Sequence, residues 1–206
     1  MNIVICGSGN VGRALAGGWK KAGHSVIFAA RDANGAKAAE LKQDGYAVAP
    51  QAQAAQRADI IVLATPWDAA APTIKALGNL AGKIVVDATN PLTAKLELAL
   101  GFSDSAGETV ARLASGAKVV KAFNTTGANN MANSTYAGGK VMMPVAGDDA
   151  DAKKAVMGLA ADLGFEPVDA GPLAMSRHLE PMAMLWIKLA YAQGLGREFA
   201  FGLLRR

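Results

Sequence analysis

Asn2-Ile3-Val4-Ile5-Cys6-Gly7-Ser8-Gly9-Asn10-Val11-Gly12 is the stretch on which the reading of this chain turns. A short β-branched run leads without a break into Gly-x-Gly-x-x-Gly. Val11, Leu15 and Trp19 then repeat at four-residue spacing, the apolar stripe of a helix, and Gly23 stands where such a helix should stop. In this strand-turn-helix setting each glycine has its own task. Gly7 permits the tight turn, Gly9 lets an anion approach the backbone, and Gly12 allows the helix to pack closely. The unpaired N–H groups and dipole at the helix start favour phosphate. The segment therefore predicts the first βα unit of a dinucleotide-binding domain.

Working outward, β-branched runs recur at Asn2 to Cys6, Ser25 to Ala30, Asp59 to Thr65, Lys83 to Ala88, Lys118 to Ala122, Val141 to Gly147 and Phe165 to Asp169, with a weaker one at Tyr46 to Ala49. Ala-rich helical stretches separate them, the alternation of βαβ units around a mostly parallel sheet. Several runs are apolar without alternation, so helices are expected on both faces. Ser105 and Glu108 read as a capping box before Val110 and Leu113. Ala152, Val156, Leu159 and Leu163 form a stripe with Asp148 or Asp149 as N-cap and Gly164 as stop. Pro91 to Gly107 reads as a long loop beside a site. After Gly171 no strand is expected. Pro172 opens a helical stretch, Pro181 starts or kinks a second, and Gly194 and Gly196 interrupt it. The expected division is a sheet domain over 1–171 and a helical extension over 172–206.

Composition narrows the function classes. With 206 residues, 51% hydrophobic and 18% charged, the chain suits one globular domain with a small appendage. Its net charge of +4 is scattered, without the basic clusters and interleaved aromatics of a nucleic-acid binder. A single cysteine, Cys6, lies in an apolar run and reads as a small buried hydrophobe, which suits a reducing, cytoplasmic setting. No run approaches the roughly 18 apolar residues of a membrane span, and no His/Cys/Asp spacing suggests a metal.

The end of the second strand bears on cofactor choice. An acidic side chain there would accept hydrogen bonds from a ribose diol and repel a 2′-phosphate. Ala30 occupies the position where an acid is usual, Arg31 follows, and Lys37 is a second cation. A guanidinium clasps phosphate in bidentate fashion, which points to NADP(H). Asp32 would keep NAD open if the strand ran longer. Two other strand ends carry polar punctuation. Thr65, Pro66 and Trp67 would flank the pyrophosphate and nicotinamide ribose, while Asn90 and Pro91 shape the next wall.

Together with Lys118-Val-Val-Lys-Ala-Phe-Asn-Thr-Thr126, Val145-Ala-Gly-Asp-Asp149 and Val168-Asp-Ala-Gly-Pro-Leu173, these motifs make the chain resemble a known family over nearly its whole length. It is similar to the NADPH-dependent reductases of the 5-deazaflavin coenzyme, factor 420, and to the oxidoreductase domain of the STEAP metalloreductases. The resemblance implies a Rossmann doubly wound sheet of about eight strands with a small C-terminal helical extension. It also implies hydride passage between NADPH and a flavin-like ring: factor 420, FMN or FAD. It places Ser8, Gly9, Asn10 and Val11 on the pyrophosphate, Arg31 and Lys37 near the 2′-phosphate, and Ala64, Pro66 and Trp67 by the nicotinamide half. Phe123, Asn124, Thr126 and Gly127 would edge the acceptor pocket, with Leu173 beside them. The archaeal deazaflavin enzymes tend to carry His where this chain has Asn124, and Ser in place of Ala30, so acceptor identity is less secured than cofactor class.

Transfer between two rings needs orientation more than a nucleophile, and no catalytic side chain is expected. His24, in the turn before the second strand, and His178, in the terminal helical region, read as structural. A reductase of small imines or acids and a non-catalytic NADP sensor are the rival readings. The apolar face of Met182, Leu185, Trp186 and Leu189 suggests a homo-oligomer, most simply a two-fold dimer.

Overall fold

The computed structural model describes residues 1–206. Its strands are β1 (Asn2–Cys6), β2 (Ser25–Ala30), β3 (Ala47–Pro50), β4 (Ile60–Leu63), β5 (Ile84–Asp87), β6 (Lys118–Lys121), β7 (Met142–Gly147) and β8 (Glu166–Gly171). The helices are α1 (Asn10–Lys21), α2 (Ala36–Gln43), α3 (Gln51–Gln56), α4 (Ala70–Leu77), α5 (Ala106–Leu113), α6 (Ala128–Ala132), α7 (Ala150–Asp162) and α8 (Ser176–Ile187). All eight strands form one sheet in the order β3-β2-β1-β4-β5-β6-β7-β8. Every neighbouring pair is parallel except β6 with β7. This is a Rossmann fold, with its order reversing between β1 and β4, where a crevice opens at the strand carboxyl ends.

Consecutive residues of each central strand feed opposite cores, which explains their unbroken apolar runs. Ile3, Ile5, Ile60 and Val62 point into a core with Leu15, Trp19, Val156, Leu159 and Phe165. Val4, Cys6, Ile61 and Leu63 point into the other, with Ile74, Leu77, Val110 and Leu173. Cys6 is the expected buried hydrophobe, and burial pushes its thiol up to about 12. Asp149, rather than Asp148, caps α7 by accepting from the Ala152 N–H at 2.8 Å. Ser105 caps α5 through the Glu108 N–H, but the Glu108 carboxylate does not return to the Ser105 amide as a full box requires. It is drawn to Arg177 on α8 instead.

The C-terminal segment departs from expectation. Pro181 starts no helix: α8 begins at Ser176 and continues through it, after a 3-10 turn at Leu173–Met175 and into a π turn at Lys188–Ala192. Proline costs α8 the bond to the Arg177 carbonyl, while Glu180 and Trp186, both buried, anchor the helix on either side. Beyond Gly196 the chain folds back. Its Phe199 carbonyl accepts from Trp186 Nε1 and Asn130 Nδ2, and its Phe201 carbonyl accepts from the Met142 N–H at the start of β7. Trp186, expected on an open apolar face, is thus stacked on Phe199 at 5.3 Å between centroids, whereas Leu185 stays 52% exposed. No helix is long and apolar enough to cross a membrane.

Candidate active site

The turn after β1 divides the work among its glycines as steric necessity dictates. Gly7 has φ +117°, and a Cβ there would lie 2.2 Å from the Ala64 carbonyl oxygen. At Gly12 a Cβ would lie 1.9 Å from the Gly7 carbonyl oxygen, so these two positions serve the fold. Gly9 differs, because a Cβ there meets nothing within 4 Å. Gly9 is also the N-cap of α1 and supplies no side-chain cap, and the first turn has no acidic residue. The leading amides of α1 therefore face open space at the positive end of the helix, a fitting cradle for a pyrophosphate.

Strand β2 ends at Ala30, and Arg31 and Lys37 are exposed and form no ion pair. Asp32 lies outside the strand, its carboxylate accepting from the Asn34 N–H at 2.9 Å in a local turn. That placement removes the condition under which Asp32 was to serve a ribose diol.

Val11, Ala64, Thr65, Pro66, Trp67 and Asn90 line one cleft of about 620 Å³ at the exits of β1, β4 and β5, so the fold brings together residues the sequence scattered over eighty positions. Asp68, Ala88, Thr89, Leu92, Thr93 and Ala94 complete its walls and were not singled out. Thr65 Oγ1 is buried without a partner. Pro91 is buried behind the cleft, opening the long irregular segment that the sequence placed beside a site.

The residues expected around the acceptor are dispersed more widely. Phe123 is a correction: its ring is 0% exposed, edge-on to Trp19 at 5.5 Å and close to Phe165, so it belongs to the core. Its backbone adopts φ +61°, strained for a bulky residue, and its N–H donates to the Met143 sulfur at 3.2 Å. Leu173 is a second correction, since its side chain packs in the core beneath α5, where a Cβ on Gly107 would lie 3.4 Å from it. Thr126 accepts from Asn130, and Gly127 lies under the Trp186 ring. Asn124 does reach the cleft wall. Its Nδ2 donates to Asn90 Oδ1 at 3.1 Å and to the Leu179 carbonyl at 3.1 Å. Asn90 Nδ2 returns a bond to the Asn124 carbonyl at 3.0 Å, while Asn124 Oδ1 is buried and unpartnered.

Sequence reading passed over the most buried charges. Lys121, Asp87 and Glu180 are each 0% exposed and joined, Lys121 Nζ lying 2.8 Å from Asp87 Oδ2 and 2.9 Å from Glu180 Oε1. Their signal was available: Asp87 and Lys121 are opposite charges ending two apolar central strands. The histidines lie elsewhere. His24 bridges the N-terminal amine and Asp162, and His178 is exposed. No group of three His, Cys, Asp or Glu side chains could hold a metal.

Comparison with known proteins gives this geometry its kinship. Residues 2–91 match the family model described as NADP oxidoreductase, coenzyme F420-dependent. The F420-dependent NADP reductase of Methanothermobacter marburgensis is 32% identical over 205 residues, covering 90% of each chain. The chain belongs to the F420-dependent NADP reductase family. Members of this family are oxidoreductases, and the fold agreement extends end to end: a provisionally assigned F420-dependent NADP reductase from Arthrobacter sp. FB24 is 34% identical, with a TM-score of 0.90 and full coverage of both chains. Metalloreductase STEAP3 of Rattus norvegicus is 31% identical over 182 residues, but the chain spans only 36% of that relative's length.

Proposed function

We propose that this NADP-dependent oxidoreductase passes hydride between NADPH and a 5-deazaflavin ring, factor 420. One observation carries the reading: the open backbone at Gly9 stands two residues before Val11, which lines a single cleft together with Trp67 and Asn90. Such a site can seat two flat rings and keep water from between them, which hydride transfer requires of a protein. The reduced nicotinamide supplies the hydride itself.

The chain's residues would divide the remaining work as follows. The Ser8 to Val11 amides hold the pyrophosphate. Arg31, helped by Lys37, holds the 2′-phosphate. Ala64, Pro66 and Trp67 flank the nicotinamide half, Asn90 forms the next wall against which its ring seats, and Asn124, Thr126 and Gly127 lie towards the acceptor. FMN, FAD and ferric chelates are the competing acceptors. Assembly is proposed as a two-fold dimer through the exposed Leu185, Tyr191 and Leu195, which sedimentation reads directly.

The decisive experiment follows NADPH oxidation with factor 420, FMN, FAD, ferric chelates and a cyclic imine under one set of conditions. Turnover with factor 420 far above the rest is the expected result. Turnover only with the imine reassigns the enzyme, and tight NADPH binding with no turnover on any acceptor makes it a sensor.

A further inference from the structure

The buried charges at the ends of β5 and β6 have no part in the chemistry above. Stability does not account for them, since buried ion pairs seldom outperform apolar side chains of equal volume. What they grip is informative. Asp87 Oδ1 accepts from both the N–H and the hydroxyl of Thr89, at 2.9 and 2.7 Å. Lys121 Nζ donates to the Thr89 carbonyl at 2.7 Å. Asp87 Oδ2 accepts a second bond from the ammonium and Glu180 Oε1 lies 2.9 Å from it as an ion pair. Thr89 is thereby held at its N–H, its side chain and its carbonyl. Thr89 and its neighbour Asn90 are cleft wall.

The third charge comes from α8. Glu180 accepts from the Ala106 and Gly107 amides at 3.0 and 3.1 Å while it faces Lys121. The residue before it, Leu179, offers its carbonyl to Asn124, which is in turn bonded to Asn90. Two consecutive residues of α8 thus bear on two consecutive residues of the wall, one through Lys121 and the other through Asn124.

We infer that Asp87, Lys121 and Glu180 form a positioning network that fixes the Thr89-Asn90 wall against which the nicotinamide ring seats. Through it α8 sets the geometry of hydride transfer while touching neither ring. The inference rests on the function proposed above. It gives these residues a task that a packing role lacks, namely the choice of which nicotinamide hydrogen faces the acceptor.

The test compares wild type with Glu180→Gln, which keeps shape and loses charge, and with Lys121→Met. Thermal midpoint, NADPH affinity, kcat and KM with factor 420, and the fate of deuterium at either face of the nicotinamide C4 are measured. Phosphate contacts are remote from the network, so NADPH affinity is expected to stay within about threefold. A loosened wall should lower kcat by about 10- to 100-fold and let deuterium leave from both faces where the wild type uses one. Folded variants with wild-type kcat and one-sided transfer overturn the inference. If a single variant fails to fold, Asp87→Asn/Lys121→Met/Glu180→Gln, which leaves no charge unpaired, takes its place under the same criteria. A wild type that binds NADPH but does not reduce factor 420 refutes the acceptor alone. The fluorescence lifetime of bound NADPH then decides: shortened in the variants, it upholds the network; unchanged, it overturns it.

Discussion

At the scale of single residues, the turn after β1 separates two kinds of glycine, and the separation can be measured. Gly12→Ala would drive a methyl group into the Gly7 carbonyl, 1.9 Å from an ideal Cβ, and overpacking of this kind costs about 1–3 kcal/mol. Gly9→Ala meets open space. It should melt like the wild type yet bind NADPH more weakly, because the added methyl occupies the pyrophosphate's place. Thermal melts beside cofactor titrations check both, and a Gly9→Ala protein with full affinity would move the phosphate site elsewhere. Arg31 is argued the same way. Losing a charge-assisted phosphate contact costs about 1.5–3 kcal/mol, so Arg31→Ala should weaken NADPH and spare NADH. Titration of both cofactors shows it, and equal affinities in the wild type would end the assignment. Gly7 and Gly12 were legible beforehand because a glycine's steric role follows from its place in the turn. Phe123 and Leu173 were misread because a motif gives a residue's place along the chain, whereas the direction of its side chain follows from backbone conformation and the core beneath.

At the scale of elements, strand positions followed from sequence closely, since each central strand faces two cores and must be apolar throughout. The antiparallel pairing of β7 with β6 was not legible, because strand direction depends on the connection and not on strand composition. Nor was the continuity of α8 through Pro181, which rests on anchors distant in sequence. The separate link from Glu108 on α5 to Arg177 on α8 titrates. Hydrogen bonding from Arg177 holds the Glu108 carboxyl below its ordinary value of 4.5, outweighing its partial burial. A carboxyl whose folded pKa is depressed stabilises the fold fully above its unfolded pKa and loses that contribution as pH falls through the folded one. The α5–α8 link should therefore be intact at neutral pH and lost below about pH 4.5. With the Arg177 side chain 36% exposed, solvent screening keeps its worth small. Glu108→Gln should lower the melting temperature at pH 7 by an amount that shrinks as the pH falls below about 4.5. A loss that stays constant as the pH falls would show that the link is not ionic.

At the scale of the whole molecule, the returning tail closes the structure. Trp186, 4% exposed, stacks on Phe199, donates to its carbonyl and covers Gly127. Trp186→Ala should cost ~3–5 kcal/mol, detach residues 197–206 and open the Gly127 wall; denaturant melts and limited proteolysis report on both. Undiminished stability would mean the tail is held by its other bonds, among them Asn130 to the Phe199 carbonyl and Met142 to the Phe201 carbonyl. The network beneath this region also constrains how the protein is made. Asp87 and Lys121 leave the ribosome well before Glu180, so a nascent chain with six strands exposed holds the lysine with one carboxylate and an open side. Domains tend to fold from the N-terminus during synthesis. Here the sheet can assemble early, but Lys121 lacks its second carboxylate and the Ala106 and Gly107 amides lack their acceptor until α8 arrives, so the support of the cleft wall is completed last.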